Sequence, residues 1–181
     1  DVDRRFRDYL HTGVAVVESV SEQEPASEPE SPPPVEEPAA GSQRYEIAWA
    51  LDPSVFDGRL ANNGWLQECP DPLTKLTWDN AALLSPTTAQ ALDVETGDVV
   101  KIEVHDRSIE IPAFVLPGCA DAVVTLPLGY GRKKGGALAA HSGVDVSPLR
   151  TTAGMDWTVG AEVSKTGRHV RLATTQEHWS I

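Results

Sequence analysis

Two stretches of this 181-residue chain gather most of the side chains that could do chemistry. The first, NNGWLQECPDPLTKLTWDN, runs from Asn62 to Asn80. It sets the amides of Asn62, Asn63, Gln67 and Asn80 around Trp65 and Trp78, with Pro70 and Pro72 between them, and shows no helical or strand period. Proline limits backbone freedom, and tryptophan buries a large rigid surface with a single N–H to satisfy. Such a loop can hold one shape beside a cofactor and offer it amide donors and acceptors. The same residues equally suit a structural loop that covers a barrel end and bonds its own backbone.

The second stretch is GYGRKKGG, Gly129 to Gly136. Its glycines permit close backbone approach, and Arg132, Lys133 and Lys134 place three cations in an acidic chain, as a phosphate site would need. No strand-to-helix P-loop pattern surrounds them, so a solvated loop accounts for them as well. Gly129, Tyr130, Arg132 and, further on in AAHSG, His141 are the candidates here. His11, His105, His169 and His178 share no ligand spacing, and Cys69 and Cys119 form no C-x-x-C pair. Neither a zinc site nor an iron–sulfur ligand set is therefore expected. Gly97-Asp98 reads as a turn with a structural aspartate, and Cys69 has no neighbouring base. No catalytic residue is expected in this chain.

The elements that must position these stretches are mostly short strands. YEIAWAL (Tyr45 to Leu51) alternates as a strand, closed by the turn residues of DPSVFDG. In SPTTAQALDV, Ser85 is placed as an N-cap and Pro86 at the first helical position of a short helix ending near Val94. VVKIEVHDRSIEIPAFVL predicts a hairpin, Val99–His105 and Ser108–Val115, with its bend near Asp106-Arg107. AVVTLPL adds a strand, and DWTVGAEVSKTGRHVRLAT predicts a second hairpin with its tip at Lys165-Thr166-Gly167. The sum is a mainly β domain with short helices, closed into a barrel so that no strand edge is left open.

Composition bounds the partners. The chain carries 27 acids against 15 bases, a net charge of -12. That argues against nucleic acid or an anionic membrane surface, both of which require a basic face. No apolar run approaches a membrane span, and DVDRRFRDYL lacks the apolar centre of a secretory signal, so no direct membrane insertion is expected. Residues 1–42 hold ten of the acids against three arginines. The expected division is a short helix or tail (1–20), a solvated acidic Pro-rich linker (21–43) and the β domain (44–181).

Three of these stretches, in this order, resemble the C-terminal domain of the molybdopterin oxidoreductases: Asn62 to Asn80, SPTTAQALDVETGDVVKIEV and LPLGYGRKKGGALAAHSGVDVSPLR. With the closing ATTQEHW, they are most similar to one branch, the molybdopterin-oxidoreductase-like iron–sulfur subunit of bacterial alternative complex III, over roughly Tyr45 to Trp179. The resemblance implies a double-psi β-barrel whose loops face a molybdopterin guanine dinucleotide, or an emptied pocket where the branch has lost it. Members of the polysulfide-reductase type carry a histidine near the place of Arg132, and this chain departs from them there. It further implies iron–sulfur clusters elsewhere in a larger parent. The implied partners are the parent's other domains and the subunits of a quinol-oxidising membrane complex, at the extracytoplasmic face of the bacterial inner membrane. Two other roles stay open: true pterin-dinucleotide binding in a molybdenum or tungsten enzyme, and a docking module between subunits.

Overall fold

The structure, a computed structural model, describes residues 44–176. The expected N-terminal helix (1–20) and linker (21–43) lie outside the described residues, as do His11, His178 and Trp179. The elements are β1 (Tyr45–Ala50), α1 (Gly64–Glu68), β2 (Ala82–Leu84), α2 (Pro86–Leu92), β3 (Asp98–Val104), β4 (Arg107–Val115), β5 (Val123–Pro127) and β6 (Trp157–His169). Single 3₁₀ turns occupy Ala139–His141 and Ser147–Leu149.

Alternation along the strands points one side chain in two inward. In β3, Val100, Ile102 and Val104 are buried while Lys101 and Glu103 are partly exposed; across from it in β4, Ile109, Ile111 and Ala113 are buried. Together with Ile47, Leu84, Val124, Leu126 and Ala161 these form one interior cluster. A sheet with one apolar face can enclose that face by closing on itself, which also pairs every edge. The six strands do so in the order β1-β5-β2-β4-β3-β6. β1 pairs with β5 and β2 with β4 in parallel, while the other contacts are antiparallel. Parallel neighbours require crossover connections rather than tight turns. This mainly β, closed six-stranded architecture with a few short helices is that of the expected double-psi type.

Local chemistry explains the helix boundaries. Ser85 caps α2 by accepting from the Thr88 N–H at 3.0 Å, Pro86 stands in the first turn, and Asp93 in the left-handed region ends it. The β3–β4 hairpin pairs Val104 with Arg107, so its turn is His105-Asp106, one residue earlier than expected, with His105 at φ 54°. The irregular run 62–80 does contain a helix, the five-residue α1.

The expected second hairpin is a single strand. β6 runs through Lys165-Thr166-Gly167 without reversing and pairs first with β1 (Ala48 with Trp157, Tyr45 with Ala161), then with β3 (Glu103 with Glu162, Val100 with Lys165). Gly160 and Gly167 have positive φ, and each falls where the pairing register shifts. A glycine in that conformation makes a bulge that bends a strand. Here the turn chemistry carries one strand around the barrel, where it seals both β1 and β3.

Candidate functional site

The loops between β1 and β2 and between β5 and β6 meet at one end of the barrel around a second small core of Val55, Ala61, Tyr130 and Ala139. Tyr130 is 7% exposed, and its hydroxyl donates to Asp52 Oδ2 at 3.1 Å. Asp52 Oδ1 in turn accepts from the N–H groups of Ser54 and Val55, each at 2.8 Å. Burial pushes the Tyr130 phenol well above its ordinary range, and the charges of Asp52, Asp71 and Asp79 add to the effect. Asp52 is absent from the residues expected from sequence, although the Asp-Pro-Ser turn it opens signals an aspartate bonding its own backbone.

Asn80 is 2% exposed and fully engaged. Its Nδ2 donates to the carbonyls of Pro127 (3.1 Å) and Val144 (3.0 Å), and its Oδ1 accepts from Val144 N–H (2.8 Å). Gly143 makes this approach possible, since a Cβ there would stand 2.5 Å from Asn80 Oδ1. Asn63 caps α1 by accepting from Trp65 N–H. Gln67, 1% exposed, donates to Ala61 O at 2.9 Å, while its Oε1 has no partner among the described residues. Asn62 is exposed and its side chain lies against Gly136 of the glycine-rich loop. Trp78 is held by its indole N–H on Glu68 Oε2 at 2.5 Å, whereas Trp65 is 89% exposed.

The chain thus folds both sequence stretches onto one barrel end. Gly131 lies so close to the backbone of the 144–145 turn that a Cβ would come 2.0 Å from Asp145 N. Gly129, also at positive φ, packs against Gly58. Arg132 lies across the Gly58 turn, with Nη1 3.5 Å from Asp57 O. Lys133 and Lys134 are exposed. His141 is also exposed, with Nδ1 2.9 Å from Ala137 O.

The buried groups among these residues offer a pterin dinucleotide few free donors. The Asn80 amide, one Gln67 N–H, the Tyr130 hydroxyl and the Trp78 indole are committed to protein partners, Asn63 spends its Oδ1 on the α1 cap, and three carboxylates set a negative field around Tyr130. Against this stand the exposed side chains of Asn62, Asn63 and Trp65, the surface cations of the 132–134 loop and the buried Gln67 Oε1. Among the described residues no group of His, Cys, Asp or Glu could hold a metal ion. Cys69 and Cys119 are free thiols, and burial raises the pKa of Cys119.

Asp98 sits apart from that end. Only 8% exposed, it accepts from Glu95 N–H (3.0 Å) and pairs with Lys165 Nζ (2.9 Å) and His169 Nδ1 (3.1 Å). These bonds, the backbone one first, hold its carboxyl far below the usual range. It ties β3 to β6, the structural part expected of the Gly97-Asp98 turn.

No protein-family model matches the chain. It is similar to the molybdopterin-containing subunit PhsA of thiosulfate reductase from Salmonella typhimurium, 36% identical over 87 residues, which is 47% of this chain and 11% of that protein. It is also similar to a tetrathionate reductase subunit from Archaeoglobus fulgidus, 35% identical over 54 residues, 30% of this chain and 5% of that protein. Acetylene hydratase from Pelobacter acetylenicus aligns in structure with a TM-score of 0.47 and 19% identity, over 67% of this chain and 18% of that one. The chain therefore spans about a tenth or less of the curated relatives it matches. The similarity to molybdopterin-containing reductase subunits supports the molybdopterin oxidoreductase family.

Proposed function

We propose that residues 44–181 are the barrel domain of a molybdopterin-oxidoreductase-like subunit, joined through the acidic segment 21–43 to the rest of its parent, and that the domain is structural rather than catalytic. The observation that carries this reading is the inward commitment of most of the buried polar groups at the barrel end, above all the three bonds of Asn80. Hydrogen-bonding groups already paired within the chain gain little by exchanging those partners for a ligand. On this reading the parent works in a respiratory, quinol-oxidising assembly of the alternative complex III kind. It carries its iron–sulfur clusters in other domains and sits at the extracytoplasmic face of the bacterial inner membrane. The barrel packs against neighbouring domains or subunits through its loop end, where Trp65 stands free.

A second reading has one observation in its favour. Gln67 Oε1 is a buried acceptor without a partner among the described residues, open to a donor of a bound molybdopterin guanine dinucleotide. Asn62, Asn63, Trp65, Gln67, Trp78, Asn80, Gly129, Tyr130, Arg132 and His141 would then form its wall.

Metal and pterin analysis of the intact parent, purified from membranes, separates the two. Iron without molybdenum, tungsten or releasable pterin supports the structural reading. Stoichiometric metal with pterin overturns it in favour of the second.

A further inference from the structure

Two segments run side by side over the loop end of the barrel. Leu138 Cδ1 lies 3.2 Å from the place a Gly64 Cβ would take, the Asn62 side chain lies against Gly136, and the Arg132 side chain crosses Gly58. Three apolar side chains of these segments reach solvent: Leu60 and Leu138, each nearly half exposed, and Trp65, almost wholly so. Charge is unevenly placed here as well. From Pro53 to Gln67 and from Leu128 to Gly143 the sequence has four Lys or Arg and one acid, in a chain with 27 acids and 15 bases. That acid, Asp57, is met by Arg59 at 2.7 Å. Arg132 rests on a backbone oxygen, Asp57 O, and Lys133 and Lys134 are exposed and make no ion pair among the described residues. Exposed apolar side chains rimmed by polar groups mark protein contacts.

We infer that this surface docks on another domain of the parent, at an acidic patch with an apolar centre that receives the Trp65 ring; the inference rests on the proposed reading of the barrel as one domain of a longer subunit. Charge selects the partner. A second copy of the chain, meeting this one about a two-fold axis, would bring the cations of both into one interface. A nucleic acid or an anionic membrane would meet the same cations but be repelled by the remainder, which is more acidic than the whole. The mixture of charge and apolar surface suits an interdomain contact, which is more polar than an obligate subunit interface. Covalent linkage raises the effective concentration of the partner, so a contact of this modest kind suffices.

Photo-crosslinking in the intact parent, with Trp65 replaced by p-benzoylphenylalanine, tests the inference. Irradiation is expected to give a crosslink within one polypeptide, to a peptide from outside the 181 residues that carries more acids than bases. K133E/K134E should lower its yield at least about threefold, because opposed charges become like ones, while K133R/K134R should retain it. A crosslink to a separate subunit, to a second copy or within the 181 residues would overturn the inference, as would a peptide without an excess of acids or no crosslink at all. A yield indifferent to K133E/K134E, or lowered equally by K133R/K134R, would also overturn it. Metal and pterin analysis of the same preparation reports on the proposed function separately, since the acidic contact forms with or without a bound pterin.

Discussion

Asn80 and Val144, 64 positions apart, exchange hydrogen bonds in both directions: Asn80 Nδ2 donates to Val144 O at 3.0 Å, and Val144 N–H donates to Asn80 Oδ1 at 2.8 Å. The pair pins the return of the glycine-rich loop to the start of β2, and the third bond, to Pro127 O, ties both to the end of β5. A buried side chain that bridges three backbone groups sets the shape of the whole barrel end.

Asn80→Ala leaves those backbone groups without their partner, at a cost of about 1–3 kcal/mol for a buried group left unpaired. Urea unfolding of the purified chain should show a lower midpoint with an unchanged slope. A midpoint equal to wild type would mean that the loop is held by other contacts.

Tyr130 predicts the alkaline limit. Its phenol titrates near 10 in the unfolded chain and well above that in the folded one. Above about pH 10 the unfolded state therefore binds fewer protons, and stability falls by about 1.4 kcal/mol per pH unit until the folded group titrates. Tyr130→Phe should flatten this limb and cost about 1 kcal/mol at neutral pH through the lost bond to Asp52. Unfolding followed from pH 7 to 11 checks both.

Asp98 predicts the acid limit with the opposite sign. Its folded pKa is depressed, so its contribution is complete above the unfolded carboxyl value of about 4 and is lost as pH falls below it. Asp98→Asn should lower stability at pH 7 by about 1–2 kcal/mol, a figure held down because Lys165 and His169 are partly exposed. The variant should then lose less than wild type between pH 5 and 2. Parallel acid limbs for the two proteins would assign the acid transition to other carboxylates.

Gly143→Ala adds a methyl that meets Asn80 Oδ1 at 2.5 Å and Tyr130 Cβ at 2.8 Å, at a backbone φ of 62°. The strain should cost at least about 1 kcal/mol. Because it acts on the same contact, its effect should be less than additive with that of Asn80→Ala.

Trp65 is 89% exposed and should be silent in the chain alone, with Trp65→Ser changing stability by no more than about 0.5 kcal/mol. In the intact parent the same substitution should lower the yield of assembled complex, if the loop end is an interface. Unchanged assembly would remove Trp65 from that surface.

Much of this protein was legible in one dimension because its physics is local. The cap at Ser85, the proline after it, the alternation in β3 and β4, the turn that ends β1 and the strand β5 are written in neighbouring residues, and each lies where the sequence predicts. The pattern of short strands was enough to expect a closed, mainly β barrel. What the tertiary structure decided depends on residues far apart. Lys165-Thr166-Gly167 carries the chemistry of a turn, but β6 continues through it because β1 and β3 both need a partner, and Gly167 becomes a bulge. The amides of Asn62 to Asn80 carry no mark of what they bond; contact with Ala61, Pro127 and Val144 determines that, and it turns Gln67 and Asn80 inward while leaving Trp65 in solvent. Asp52 and Tyr130 are 78 positions apart, and no spacing rule joins them; only barrel closure brings the carboxylate under the phenol.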